Sequence, residues 1–385
     1  MRVIELLDDS KRAQVLATAD PMREGTRIMG ICNACRYCEG YCAVFPAMER
    51  RLDFAQADMT YLANLCHNCG ECLYACQYAP PHEFGVNVPQ TLAHIRAQTW
   101  RDLAWPNALG RVLNRSGVGT ALALLVVFTA LLLAAITGQS GLFQAVPDGR
   151  FYRVMPHAVM ATLFGMVGLF VLTAMAAGVL RAWSAMGEPP RELAHAAAWQ
   201  QALSDVFTLR YLGRHATACV DGEDRDANLR RWAHHLTFYG FLLCFAATVV
   251  GTVYHFGFGW PAPYGYASLP VLLGTVGGIG LLIGPPLLHV CRRRADPMLL
   301  DAGQNGAADA LILLLVLVSA TGLALMLLRA TPAMPVLLVV HLAAVMALFV
   351  VLPYGKFAHG FYRLCALLRY AVESRRPNTI SVGEG

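Results

Sequence analysis

The apolar positions of the chain gather into six long runs, at about 118–137, 154–180, 235–257, 268–291, 308–328 and 335–352. Each approaches or exceeds the roughly 18–20 residues an α-helix needs to cross the hydrocarbon layer of a bilayer. The pattern predicts six membrane-spanning helices. Residues 1–117 hold no such run. Within them, 3–17 reads as a short amphipathic helix ended near Asp20-Pro21. Residues 90–104 read as a second helix, with Trp100 and Trp105 near its end, where aromatics favour the membrane–water boundary. That helix is expected either to lie on the membrane or to serve as a plain linker. Pro80-Pro81 and Pro89 forbid a continuous helix between these elements. Segment 181–233 is polar and reads as a solvated loop, with His215 and Cys219 as a candidate ligand pair.

Composition agrees: 56% of the 385 residues are hydrophobic and 14% charged, against roughly 25% charged in a soluble domain. The charges give an orientation. The N-terminus, Met1-Arg2-Val3-Ile4-Glu5-Leu6-Leu7-Asp8-Asp9, is charged and lacks the apolar core and cleavage site of a secretory signal. The first hundred residues are therefore expected in the cytosol. Six spans then place 181–233, 292–307 and 353–385 inside, with 7, 3 and 5 Lys+Arg, whereas the outer loops hold only Arg150, Arg153 and Arg329. This is the positive-inside bias. It predicts a multi-pass protein of a bacterial inner (cytoplasmic) membrane with both termini in the cytosol. A net charge of +5 gives no case for nucleic acid.

Eight of the twelve cysteines form a repeat: Cys32-x-x-Cys35-x-x-Cys38-x-x-x-Cys42 and Cys66-x-x-Cys69-x-x-Cys72-x-x-x-Cys76, each followed four positions on by proline, Pro46 and Pro80. In a reducing cytosol such a cluster reads as metal binding rather than disulfides. Structural zinc explains one pair of cysteines per half and leaves the other two without purpose. The run is similar to that of two-cluster ferredoxins, in which the fourth cysteine of each motif ligates the other cluster. That resemblance implies two [4Fe–4S] clusters, one on Cys32, Cys35, Cys38 and Cys76, the other on Cys66, Cys69, Cys72 and Cys42. The proline that usually follows the fourth cysteine is replaced by Ala43 and Gln77.

Ligating residues inside a bilayer are functional candidates by default, and His235, His255, His341 and His359 lie in or at the ends of predicted spans. His341 and His359 are 18 residues apart, five turns on one helix face and about 27 Å along it. His235 and His255 offer a matching pair on an antiparallel helix. Two helices with one histidine each at two depths make the geometry of one or two b-type haems. On an ideal wheel His234 shares the face of His255 better than His235 does, and His157 rivals His255 near the outer side. The alternative is that span-end histidines such as His255 and His289 sit in the headgroup region.

The segment from His341 through Pro353-Tyr-Gly-Lys356-Phe-Ala-His359 resembles the last haem-binding helix of the cytochrome b (gamma) subunit of respiratory nitrate reductase. That resemblance makes His235 the partner for the inner haem. It puts the outer partner at Phe245, which cannot ligate. The stretches Cys66-His-Asn-Cys69-Gly-Glu-Cys72-Leu-Tyr-Ala-Cys76-Gln-Tyr-Ala-Pro80-Pro81-His82-Glu83-Phe84 and Arg230-Arg-Trp-Ala-His-His235-Leu-Thr-Phe-Tyr-Gly240-Phe are similar to the tricarballylate/citrate utilisation protein B family, nearly along the whole chain. The family likeness implies reoxidation of the flavin of a soluble, FAD-dependent tricarballylate dehydrogenase, with electrons passing through clusters and haem to membrane quinone.

The residues themselves lead to a relay without its own substrate centre. No GxGxxG loop follows a predicted strand, and no Ser-His-Asp set or pair of carboxylates sits beside a plausible pocket. The electron donor must therefore be a partner, for which Arg36, Arg50 and Arg51 are candidate docking charges. A heterodisulfide reductase-like oxidoreductase is the alternative, but Cys219, Cys244, Cys291 and Cys365 are isolated. The expected fold is mainly α: a cytosolic two-cluster ferredoxin-like domain (1–105), a linker (106–117), a six-helix transmembrane bundle (118–365) and a cytosolic tail (366–385).

Overall fold

A computed structural model describes residues 20–136, 149–212, 224–299, 301, 303 and 305–378. The expected helix at 3–17 and the pair His215 and Cys219 lie outside the described residues. Among the described residues the chain is helical and contains no strand. The cysteine-bearing part comprises α1 (Pro21–Cys35), α2 (Val44–Met48), α3 (Gln56–Leu65), α4 (Glu71–Tyr74) and α5 (Val88–Leu103). Asp20 caps α1 by accepting the Met22 N–H, with Pro21 pre-set at the first helical position. Asn87 caps α5 by accepting from Gln90 N. Helices α1, α3 and α5 converge at Gly25, where a Cβ would meet Ile95 Cδ1 at 2.6 Å. Ile28, Met29, Met59, Leu62, Leu92 and Ile95 fill the core around that point.

Helix α5 is therefore a core element of the cluster domain rather than a plain linker. It buries Leu92, Ala93, Ile95 and Arg96 inside the cluster domain, and Trp100 donates its indole N–H to Asn64 Oδ1 at 2.8 Å. After α6 (Asn107–Arg115) the chain enters the first span, α7 (Gly117–Ala135). Then follow α8 (Phe151–Val154), the second span α9 (His157–Ala185), α10 (Ala196–Phe207), and spans three to six: α11 (Asp224–Phe258), α12 (Leu269–Arg294), α13 (Asn305–Leu328) and α14 (Met334–Val351). All six are long and apolar enough to cross a membrane. The sixth is the central one, the most buried of the six and packed against spans one, two and five. Spans three and four approach backbone to backbone. A Cβ at Gly277 would lie 2.7 Å from the Gly240 carbonyl oxygen, a close contact of small residues that suits association in lipid.

Two polar stretches depart from the sequence reading. Part of the supposed loop 181–233 is helix α10, whose buried Ala198, Ala202 and Asp205 face the last helix, α15 (His359–Glu373). The supposed boundary at 365/366 falls inside α15. Cys365, Ala366, Leu367, Leu368, Ala371 and Val372 are buried in the same core as the cluster domain. Arg369 holds Glu373 at 3.0 Å, Asp58 at 3.3 Å and Glu188 at 3.4 Å. Arg51 holds Asp58 at 2.6 Å and also pairs with Glu373. The Tyr61 ring lies 4.2 Å from the Arg369 guanidinium and 5.1 Å from that of Arg51. This buried network staples α15 to α3 and to the end of span two.

Candidate functional site

The two cysteine motifs fold alike at their tightest point. The residue after the second cysteine takes left-handed backbone in both, Arg36 at φ 54° and Gly70 at φ 91°. This reversal lets three cysteines wrap one point. In the first motif the Arg36 N–H closes the turn onto the Cys32 carbonyl at 2.8 Å. Cys32, Cys35 and Cys38 line a cavity of about 230 Å³ together with Cys72 and Cys76 from the second motif. Burial, and then the neighbouring Cys76, Cys38 and Cys35, push the Cys32 thiol up to about 12. Burial, then Cys76 and Cys35, push Cys38 up to about 11.

The other four thiols form the reciprocal group. Burial and then Cys69 and Cys66 hold Cys42 well above the ordinary thiol range, and burial, then Cys42, Cys66 and Cys69, do the same to Cys72. To ionise, thiols crowded in this way would need positive charge among them, such as a metal centre supplies. A single zinc ion holds its sulfurs at about 2.3 Å and requires them to converge on one point. Among the described residues no three His, Cys, Asp or Glu side chains do so. Thiols spread around a cavity suit a multi-iron cluster.

The two motifs differ in surroundings. Ala34, Arg36, Tyr37, Glu39 and Gly40 around the first are exposed, whereas Cys66, Gly70, Glu71 and Leu73 of the second are buried. Three arginines from three helices grip the second loop through its carbonyls. Arg96 of α5 donates to Ala63 O and Cys66 O, both at 2.9 Å, and Arg363 of α15 donates to Cys66 O at 2.7 Å. Arg230 of α11 donates to Asn68 O at 2.9 Å and His67 O at 3.1 Å. These clamps escaped the sequence reading. The signal was present: each of Arg230 and Arg363 lies four residues on the cluster side of a histidine, His234 and His359.

Those two histidines meet. Their ring centroids are 6.2 Å apart, with Trp100 6.1 Å from His359. His359 Nδ1 is engaged by the Lys356 carbonyl, which leaves Nε2 as the nitrogen that could reach a metal. Burial, and then Arg363, hold His359 well below the usual imidazole range, so it is neutral as a metal ligand must be. Burial likewise pushes the Lys356 ammonium down to about 7. His234 Nδ1 is buried without a hydrogen-bond partner. His235, the expected partner of His359, instead stacks on Tyr239 at 5.7 Å and lies 6.0 Å from Trp232. One residue is 100° of helix rotation, and the Arg230 clamp fixes that rotation with His234 inward. His234 and His359 fit the two axial ligands of a haem.

The outer set is arranged differently from expectation. The helix carrying His341 ends at Val351. Pro353 and Gly355 break it, and His359 starts a new helix after the turn Lys356–Ala358. The single helix face expected for His341 and His359 does not exist. His341 Nδ1 meets Thr321 Oγ1 at 3.0 Å, and its ring packs over Gly322. Among the described residues no second histidine ring contacts it. His255 stacks on His157 at 4.3 Å and 21°, with Tyr152 5.2 Å from His157 and 5.5 Å from His255. Stacked rings offer each other faces rather than nitrogens, so this pair does not fit a haem axis. Of the docking charges, Arg51 is committed to the buried network and Arg50 donates to the carbonyls of Arg376 and Pro377 at 2.7 and 2.9 Å. Arg36 is exposed.

The family described as Citrate utilization protein B matches residues 115–379, and the Citrate utilization protein B Fer4-like domain matches residues 25–102. The chain is 48% identical over 361 residues to Citrate utilization protein B of Escherichia coli, covering 93% of this chain and 94% of that protein. No solved structure matches it. An iron–sulfur electron-transfer role fits the Fer4-like domain and its paired thiol groups, and six apolar spans fit a multi-pass membrane protein. On these matches, which run through both the cysteine motifs and the spans, the chain belongs to the citrate utilization protein B family.

Proposed function

We propose that this protein reoxidises the flavin of a soluble, FAD-dependent tricarballylate dehydrogenase and delivers the electrons to membrane quinone, in a bacterial inner membrane with its cluster domain in the cytosol. Two [4Fe–4S] clusters and one haem b, when bound, would supply the one-electron carriers between a two-electron donor and a two-electron acceptor. Cys32, Cys35, Cys38 and Cys76 hold the cluster on the exposed side. Cys42, Cys66, Cys69 and Cys72 hold the one next to the membrane helices. His234 and His359 hold the haem. A second haem on His255 and His341 is left out, because those residues do not meet.

The observation that carries this reading is the double clamp. Arg230 and Arg363 fasten the loop of the second motif to the same two helices that bring His234 and His359 together. Each arginine is one helical turn, about 6 Å, from its histidine. The exposed face of the first motif, with Arg36 and Tyr37, is left for a soluble donor.

The test is stopped-flow reoxidation of the reduced partner flavin by membranes containing the protein. Rapid reoxidation that slows as salt rises is expected, because screening weakens docking between charged surfaces. The protein alone should not oxidise tricarballylate or citrate. Equal rates with membranes lacking the protein would refute the role.

A further inference from the structure

With the third span counted from Asn228 to Phe258, Asp309 is the only carboxylate within the six described spans. A lone acid inside a membrane helix is costly and marks function by default. It lies on span five, one turn from the end nearer the cluster domain, and it faces span four. His289 Nδ1 approaches its Oδ1 at 3.0 Å, and Arg292 also pairs with that oxygen. The Arg292 Nη2 lies 3.2 Å from His289 Nδ1. Two features set this triad apart from a sealed ion pair. The side chains of His289 and Asp309 keep 36% and 30% of their surface open. Arg292 Nη1 is buried and has no hydrogen-bond partner, a donor with a place for an acceptor that the protein does not supply.

The triad also adjoins the relay. Span five packs against the turn Lys356–Ala358 that leads into His359, and Arg292 is close enough to bear on the charge of Lys356. The segment after span four lies on the second cysteine motif. Asn68 Nδ2 donates to Leu299 O at 2.7 Å, and Asn87 Nδ2 donates to Met298 O at 2.8 Å.

We propose that His289, Asp309 and Arg292 form the site where a quinone headgroup is bound and protonated, which rests on the quinone-reducing reading above. Reduction converts a quinone to a quinol with two electrons and two protons, so each carbonyl becomes a C–OH. The electrons come from the flavin of the donor protein. The free Nη1–H of Arg292 donates to one quinone oxygen and holds the headgroup between spans four and five. His289 donates a proton from Nε2 to the reduced oxygen. Asp309, bonded to Nδ1, orients the ring and supports the imidazolium when the ring takes up its next proton from the cluster side. The second proton follows the same route. A headgroup at this depth keeps its isoprenoid tail in the bilayer.

The experiment uses the full chain in lipid nanodiscs, with the variants His289→Gln, Asp309→Asn and Arg292→Gln. Two readouts are taken: binding of the fluorescent quinol analogue 2-heptyl-4-hydroxyquinoline N-oxide, and reoxidation of the dithionite-reduced chain by a short-chain quinone or by ferricyanide. Ferricyanide needs no protons and no headgroup site. Loss of the donor in Arg292→Gln should weaken analogue binding about tenfold or more. His289→Gln and Asp309→Asn should slow reoxidation by quinone about a hundredfold while ferricyanide still reoxidises them at the wild-type rate. Wild-type analogue affinity and wild-type quinone rates in all three variants would overturn the site and leave a helix-capping ion pair. A wild-type chain that ferricyanide reoxidises and quinone does not would overturn the proposed acceptor itself, and the site with it.

Discussion

Replacing Arg363 by alanine tests whether the clamp on the second cysteine loop is what ties the clusters to the membrane helices. The side chain gives the Cys66 carbonyl one hydrogen bond at 2.7 Å and reaches Asn64 O only at 3.4 Å. A hydrogen bond from a charged donor contributes about 1.5–3 kcal/mol. Two effects pull the loss toward the low end. Arg96 still donates to Cys66 O at 2.9 Å. Burial, and then the neighbouring Arg96, push Arg363 down to about 9, with Arg230 adding repulsion that the alanine relieves. A net loosening of about 1.5 kcal/mol corresponds to roughly tenfold more frequent opening of the loop. Hydrogen exchange followed by mass spectrometry on peptides spanning 62–72 should show that acceleration, with faster release of cluster iron to a chelator. Arg363→Lys keeps a charge but not the fork and should fall between. Exchange within twofold of wild type across 62–72, with iron retained, would show that the loop stands without its membrane anchor and would refute the clamp.

Two further predictions concern the ligands. Cys76→Ser should abolish the cluster of the first motif and Cys42→Ser that of the second, each lowering cluster iron from about eight to about four per chain; EPR of the surviving cluster distinguishes crossed from uncrossed sets. His359→Ala and His234→Ala should each remove haem in a pyridine haemochrome assay, whereas His235→Ala should retain it. Loss of haem in His235→Ala with retention in His234→Ala would reverse that assignment.

The spans were legible because a bilayer leaves little choice: about twenty apolar residues in a row have few other folds. The cysteine motifs were legible because their spacing repeats, and Cys72 and Cys76 of the second motif join Cys32, Cys35 and Cys38 of the first around one cavity. What the sequence could not decide was rotation and neighbourhood. His234 and His235 differ by one residue, and a clamp 162 positions away in the chain, Arg230 on Asn68, sets which one faces inward. His157 meets His255, and His289 meets Asp309, only because particular spans are adjacent. The part of α15 from residue 366 on was read as a cytosolic tail, since its arginines look like a basic end. Arg369 is in fact buried among Asp58, Glu188 and Glu373.

That last helix bears on how the protein is made. Its buried face, from Tyr362 to Val372, completes the core that begins at Ile28 and Met29, and Arg51 near the start of the chain pairs with Glu373 near its end. Domains generally fold as they emerge, N-terminal part first. Here the first part to leave the ribosome lacks one wall until all six spans have been inserted and residues 359–373 have been translated. The cluster domain thus stays open throughout synthesis, and its closure coincides with completion of the membrane bundle. A ribosome that stops before residue 359 leaves a chain whose second cysteine loop is missing Arg363 and whose first core is unsealed.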